Sequence, residues 1–293
     1  MYRFLRSFTV FERHQLAAAA LLAGMWLGIA GANAHNGGII VQSLGSKLVT
    51  GFDNELGGTQ TIGDRAFSLL FPSTLANDVP SFLSFSDPPA NSEPLPVGGV
   101  LHWDFLPMTT GGIVSDLLYW DGIGDAEQDV SFGPLPQNDI SMSLWTQGFA
   151  DRAIVSGSPI MTPGKTIGAV TASGTSLHAH RWYSLESGSA VPEGVYLLAL
   201  KVRMDGFETS DPFYVVAGTD GISANTLDNV ALPWVAARVD QLILPGDYDF
   251  SGDVAAGDLV AWQRHLGSTG PFPLDGTYPD GSRNGIVDAD DLA

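Results

Sequence analysis

Ser141-Met142-Ser143-Leu144-Trp145 alternates polar and apolar residues one by one. Successive side chains leave a strand on opposite faces, so this alternation is the period of a strand with one face buried. Working outward from Ile140 to Trp145, similar short segments recur with turn residues between them. Ile39 to Val41, Lys47 to Thr50, Phe67 to Phe71, Val100 to Phe105 and Asp116 to Trp120 precede it. Ile167 to Ala172, Leu177 to Leu185, Val195 to Met204 and Phe213 to Ala217 follow. Short strands at this spacing predict a mainly β fold, with a β-sandwich or jelly-roll-like body over residues 35–243, rather than a parallel α/β sheet. One helix is expected from Thr226 to Leu242, where Leu227, Val230, Val235, Val239 and Leu242 form a helical stripe that Pro233 interrupts. Pro80 to Gly99, with five prolines, reads as a long irregular loop.

The composition agrees and sets limits. The chain has 293 residues, of which 44% are hydrophobic, enough to fill a core. Only 15% are charged, while 35 Gly and 18 Pro suit many short strands joined by turns. Thirteen Lys and Arg against 32 Asp and Glu leave a net charge of -19 at pH 7. That balance excludes a nucleic-acid partner, which needs a basic footprint, and disfavours an anionic membrane surface. No cysteine is present, which removes disulfides, thiolate zinc sites and cysteine nucleophiles.

Residues 1–34 read as a signal peptide. Arg3, Arg6 and Arg13 precede an apolar run from Leu16 to Gly31, and Ala32-Asn33-Ala34 supplies a small-residue cleavage site. The run is shorter than the roughly 18 residues expected of a spanning helix. The expectation is a secreted, cell-surface or periplasmic protein that begins at His35 and inserts in no membrane after cleavage.

From Pro245 onward the composition changes: nine Asp, no Glu and two Arg in 49 residues. Two twelve-residue windows account for the acid. In the first, Asp247, Asp249 and Ser251 stand at positions 1, 3 and 5, Gly252 at 6, Val254 at 8 and Asp258 at 12. In the second, Asp280, Ser282 and Asn284 stand at 1, 3 and 5, Gly285 at 6, Val287 at 8 and Asp291 at 12. Calcium takes six to eight hard oxygen ligands, and an EF-type loop supplies them at these positions, with a backbone carbonyl at position 7, here Asp253 and Ile286. Gly at 6 permits the sharp turn, and the apolar residue at 8 is expected to point into a core between paired loops. A short helix with a Gly stop follows the first loop, from Leu259 to Gly267.

This loop-plus-helix tail over residues 246–293 resembles a type I dockerin, a small EF-hand-like α module that docks on cohesins in a calcium-dependent manner, in a form similar to those on exported proteins of planctomycete-like bacteria. The resemblance implies that Asp247, Asp249, Ser251 and Asp258 ligate one calcium and Asp280, Ser282, Asn284 and Asp291 another. It also implies a cohesin-like or cell-surface protein partner. Positions 10 and 11, which often hold a Ser/Thr pair in cellulosomal dockerins, are Ala256-Gly257 and Ala289-Asp290, and the second repeat is incomplete, stopping at Ala293.

Histidines mark a second candidate centre. His178 and His180 are two apart on an expected strand, so both leave one face, a natural pair of ligands for zinc or copper. His102 lies in another strand, and His35, as a new N-terminus, offers a ring and an amine. Single histidines beside aromatic residues are also ordinary edge or core residues. Several body segments, among them Ser86-Asp87-Pro88-Pro89-Ala90-Asn91-Ser92-Glu93-Pro94, Leu117-Leu118-Tyr119-Trp120-Asp121-Gly122 and Ser210-Asp211-Pro212-Phe213-Tyr214-Val215-Val216, resemble a group of exported cyanobacterial and planctomycete proteins without established activity, some tied by regulation to zinc.

The expected function is an exported, non-catalytic surface or assembly protein. The alternative is a carbohydrate-active component, a glycoside hydrolase or sugar-binding module recruited to polysaccharide degradation through its dockerin. Glycoside hydrolysis needs two carboxylates flanking the sugar. Glu55, Asp104, Asp121, Glu127, Glu186, Glu193 and Asp211 are available, and nothing in the sequence pairs any two. No G-x-S-x-G elbow, H-E-x-x-H helix or phosphate loop occurs. Trp182-Tyr183 offers a sugar-stacking surface, but alternating aromatics in strands are more often core.

Overall fold

The structure is a computed structural model. It describes residues 37–54, 58–158, 161–244, 246–249, 254–269, 279 and 286–292. The chain opens with β1 (Gly38–Leu44), β2 (Lys47–Asn54), β3 (Thr59–Ile62), β4 (Ala66–Leu70) and β5 (Ala76–Asn77). Next come β6 (Ser81–Phe85), β7 (Val100–Leu106), β8 (Met108–Thr110), β9 (Ile113–Ser115), β10 (Leu117–Trp120) and β11 (Ser141–Trp145). β12 (Arg152–Val155), β13 (Thr166–Ala169), β14 (Thr175–Ala179), β15 (Tyr183–Glu186), β16 (Val195–Arg203) and β17 (Phe213–Gly218) follow. The helical part is α1 (Ala224–Thr226), α2 (Leu232–Ala236) and α3 (Ala256–His265). The protein is mainly β, and His35–Ala293 cluster as one compact unit that holds both the β body and the acidic tail.

Three sheets share one core. The first has the order β14-β6-β1-β2-β3, the second β13-β7-β16-β17-β4 with β10 also on β16, and the third β12-β11-β15-β5. Residues of all three, including Ile39, Phe82, Trp103, Leu198, Leu144 and Tyr183, form the large cluster. The β1–β2 hairpin closes through Gly45-Ser46, since Leu44 pairs with Lys47. Gly45 takes a positive φ of 60° there, which a two-residue hairpin loop requires and glycine adopts without strain.

β16 organises the second sheet because both its faces are buried. Tyr196, Leu198, Leu200 and Val202 enter the large core, while Val195, Leu197 and Ala199 enter a second core with Leu227, Val230 and Val235 from the helical segment. After Ala199 the second face turns polar, with Lys201 opposite Asp104 and Arg203 opposite His102 on β7. Both Lys201 and Asp104 are buried.

The helix differs from its expected span. It begins at α1, capped by the Ser223 hydroxyl accepting from the Thr226 amide at 3.0 Å, and ends at Ala236. Between α1 and α2 the backbone takes a π turn over Leu227–Ala231, with the Leu232 amide donating to the Leu227 carbonyl. Pro233 has no N–H to continue an α ladder, and the wider turn just ahead of it absorbs the break.

Two strand expectations also change. Leu177 to Leu185 is two strands, β14 and β15, in different sheets, with a corner at residues 180–182. The supposed loop from Pro80 begins with β6, the Ser-Phe-Leu-Ser-Phe segment that pairs with both β1 and β14. Pro88, Pro89, Pro94 and Pro96 all lie beyond it, so they never interrupt the ladder.

Candidate metal centre

The first tail loop is built around α3. Asp258, in the first turn of this helix, accepts the Ala255 amide on Oδ2 at 2.6 Å and the Tyr248 and Asp249 amides on Oδ1 at 2.6 and 3.2 Å. One buried carboxylate thus folds the start of the loop back onto the helix N-terminus, where negative charge is favoured. The same fold brings together one carboxylate oxygen each from Asp247, Asp249 and Asp258, all within 4.8 Å of one another.

These residues fit calcium. Oxygens about 2.3–2.6 Å from one ion lie at most about 5 Å apart. Asp247 and Asp258 are only 4% and 3% exposed, and buried carboxylates need a positive partner. Lys201 supplies part of it: burial pushes its ammonium below the ordinary lysine range, while Asp104, Asp247 and Asp249 act in the opposite direction. Gly257 completes the loop, because a Cβ there would stand 2.4 Å from Asp249 Oδ2.

The second loop repeats the signature at its end. Asp291, at position 12, is buried and accepts the position-9 amide of Asp288 on Oδ2 at 2.6 Å, as Asp258 does with Ala255. The Tyr248 hydroxyl donates to the Asp291 carbonyl, and Trp262 Nε1 donates to the Asp288 carbonyl at 2.8 Å. The two position-8 valines do not match the expectation of a shared core. Val287 is fully buried, but Val254 is 60% exposed. The second loop pairs instead with the chain after α3: the Gly267 amide donates to the Val287 carbonyl, the Val287 amide to the Ser268 carbonyl, and Thr269 bridges Ile286. Ser251, Asp253, Asp280, Ser282 and Asn284 lie outside the described residues, as do His35 and the signal segment.

The histidines divide. Leu101 and Trp103 face the large core, so His102 leaves by the other face of its sheet, where Thr166 Oγ1 lies 3.3 Å from its Nδ1. Burial, and then Arg203, hold its pKa below the ordinary imidazole value. Leu177 and Ala179 face the same core from another sheet, so His178 leaves by that sheet's outer face, and His180 follows at the corner after β14. His178 and His180 themselves come together, with ring centroids 4.8 Å apart.

The acids of the body make local contacts. Asp104 accepts the Gly164 amide and Arg203 Nε, both at 2.9 Å; Glu186 pairs with Arg152, and Asp211 with Lys47 at 2.6 Å. Glu193 accepts the Gly221 amide at 2.9 Å in the turn before β16, and Asp121 caps the Ile123 amide. Glu127 lies 3.9 Å from Arg238, and Glu55 lies outside the described residues.

Lys201 and Asp78 were not singled out from the sequence. Lys201 interrupts an otherwise apolar run, Val195 to Val202, a signal that was open to reading. Asp78 carries no local signal. No protein-family model, no curated protein and no solved structure matches the chain.

Proposed function

We propose that the chain is an exported, non-catalytic surface or assembly protein in which a sandwich- or jelly-roll-like body is carried by a dockerin-like, EF-hand-like calcium tail. The observation that carries this reading is the convergence of Asp247, Asp249 and Asp258 at positions 1, 3 and 12. The repeat of the position-12 to position-9 bond at Asp291 supports it. Calcium, when bound, supplies positive charge that offsets the repulsion between carboxylates held side by side. Asp258 and Asp291 orient their loops through backbone amides, and Tyr248 ties the first loop to the second. The surface so formed is suited to a cohesin-like or cell-surface partner.

The test is calcium titration of the exported chain by calorimetry. Two equivalents are expected, with one lost in Asp249→Ala. Failure of the parent to take up calcium would remove the reading.

A sugar-binding role draws support from one other feature. Trp145, Phe149 and Trp182 form a half-buried aromatic cluster with centroid spacings of 5.7 Å, and Arg152 lies over the Trp145 ring. Tyr183, by contrast, is a core residue. Retention on insoluble polysaccharide that disappears in Trp182→Ala would favour this role.

A further inference from the structure

The corner between β14 and β15 holds its side chains from two sides. Ala179 pairs with Phe82 in one sheet, and Tyr183 pairs with Asn77 in another. The chain at 76–82 therefore runs alongside 179–183 through both sheets, and the two corners, 78–80 and 180–182, meet. That meeting brings Asp78 to His180, with Nδ1 3.3 Å from Asp78 Oδ2 and 3.3 Å from its carbonyl oxygen. His178 is fixed one step earlier by its pairing with Leu83.

Two imidazoles on one ion, with metal–nitrogen distances of about 2.0–2.1 Å and ligand angles between square and tetrahedral, have ring centroids about 4.5–5.2 Å apart. The rings of His178 and His180 stand at 4.8 Å with a 37° tilt, already within that interval. A carboxylate that accepts a hydrogen bond from Nδ1 fixes a ligating imidazole with Nε2 turned to the metal. His178 is exposed and His180 half-buried, so the pair is reachable from solvent.

We propose that His178 and His180 chelate one divalent ion of the imidazole-preferring class, zinc or copper, through their ring nitrogens, with water completing the shell and Asp78 acting as a positioning residue for His180. The centre is separate from the tail: its ligands are nitrogens on a sheet face, whereas calcium takes oxygens. Such a site would let the body hold or report a transition metal independently of the tail.

The experiment is zinc titration of the calcium-saturated exported chain by calorimetry, with copper(II) paramagnetic resonance on the same samples. The expected result is one zinc per chain in the parent and a resonance pattern split by two imidazole nitrogens. Both should be lost in His178→Ala/His180→Ala, with calcium stoichiometry and thermal unfolding unchanged. His178→Gln, at an exposed position, removes one arm of the chelate without touching the corner and should leave one nitrogen. Asp78→Asn should keep the two-nitrogen pattern and weaken zinc by about 10–100-fold. Parent and double variant binding zinc alike, or no zinc uptake by the parent, would overturn the site. Unchanged affinity in Asp78→Asn would overturn the role of Asp78.

Discussion

Gly257 shows how one residue can shape a binding loop without touching a ligand. Its missing side chain leaves the space that Asp249 Oδ2 occupies, 2.4 Å from where a Cβ would stand. The obstructing group is the end of a short polar side chain, so a larger residue at 257 displaces the carboxylate rather than the backbone. Gly257→Ser should therefore leave thermal unfolding in chelator nearly unchanged while weakening one calcium site about tenfold, the effect of roughly 1.4 kcal/mol at a single ligand. Calorimetric titration of parent and variant checks this, and equal affinities would show that Asp249 does not ligate. The spacing of Asp247, Asp249 and Asp258 was open to sequence reading because loop ligands sit at fixed offsets along one segment. The reason for Gly257 was not, since it depends on where the Asp249 side chain lies after folding.

At the scale of elements, β7 carries two different roles on its two faces. Trp103 and Phe105 fill the large core, while His102 and Asp104 face Arg203 and Lys201 of β16. Burial first, and Arg203 next, hold the His102 imidazole below its ordinary pKa, with Asp104 and Asp205 opposing. As pH falls, the unfolded chain takes up this proton before the folded one does. The contribution is complete above the unfolded value of about 6.5 and is lost as pH drops from there toward the lower folded value. His102 is half-buried, so water still screens part of the effect and the slope is shallow. His102→Gln, which keeps a hydrogen-bonding side chain beside Thr166, should flatten the fall in stability between pH 7 and 5. Denaturant unfolding across that range measures it, and an unaltered slope would assign the dependence to other groups. Alternation along single strands such as β7 and β11 was legible because it is local. The division of Leu177 to Leu185 was not, because the apolar pattern continues across the corner while the hydrogen-bonding partner changes from β6 to β5. β6 was not legible for the opposite reason: the prolines that follow it carry a loop signal stronger than its own Phe-Leu-Ser-Phe pattern.

Across the whole molecule, the tail and the body meet through the polar end of β16. Ile243 bridges Met108, and the Thr109 amide donates to the Leu242 carbonyl, so the chain leaves the second core along β8. Asp247 and Asp249 then act on the buried Lys201 ammonium, which also faces Asp104. The change of composition marks where the tail begins but carries no record of this contact, because Lys201 and Asp247 are joined only by the tertiary path of the chain. A ligand that binds the folded state alone stabilises everything that unfolds with its site, by about 2.7 kcal/mol at a hundredfold excess over Kd. Calcium should therefore slow amide exchange along β16 and β7 as well as within 246–292, and should raise the unfolding midpoint of body and tail as one transition. Lys201→Met provides the control. If the contact carries the coupling, calcium still protects the tail in this variant but protects β16 less. Calcium-dependent protection confined to 246–292 in the parent would mean that the tail is an independent module, with Lys201 serving only to neutralise Asp104.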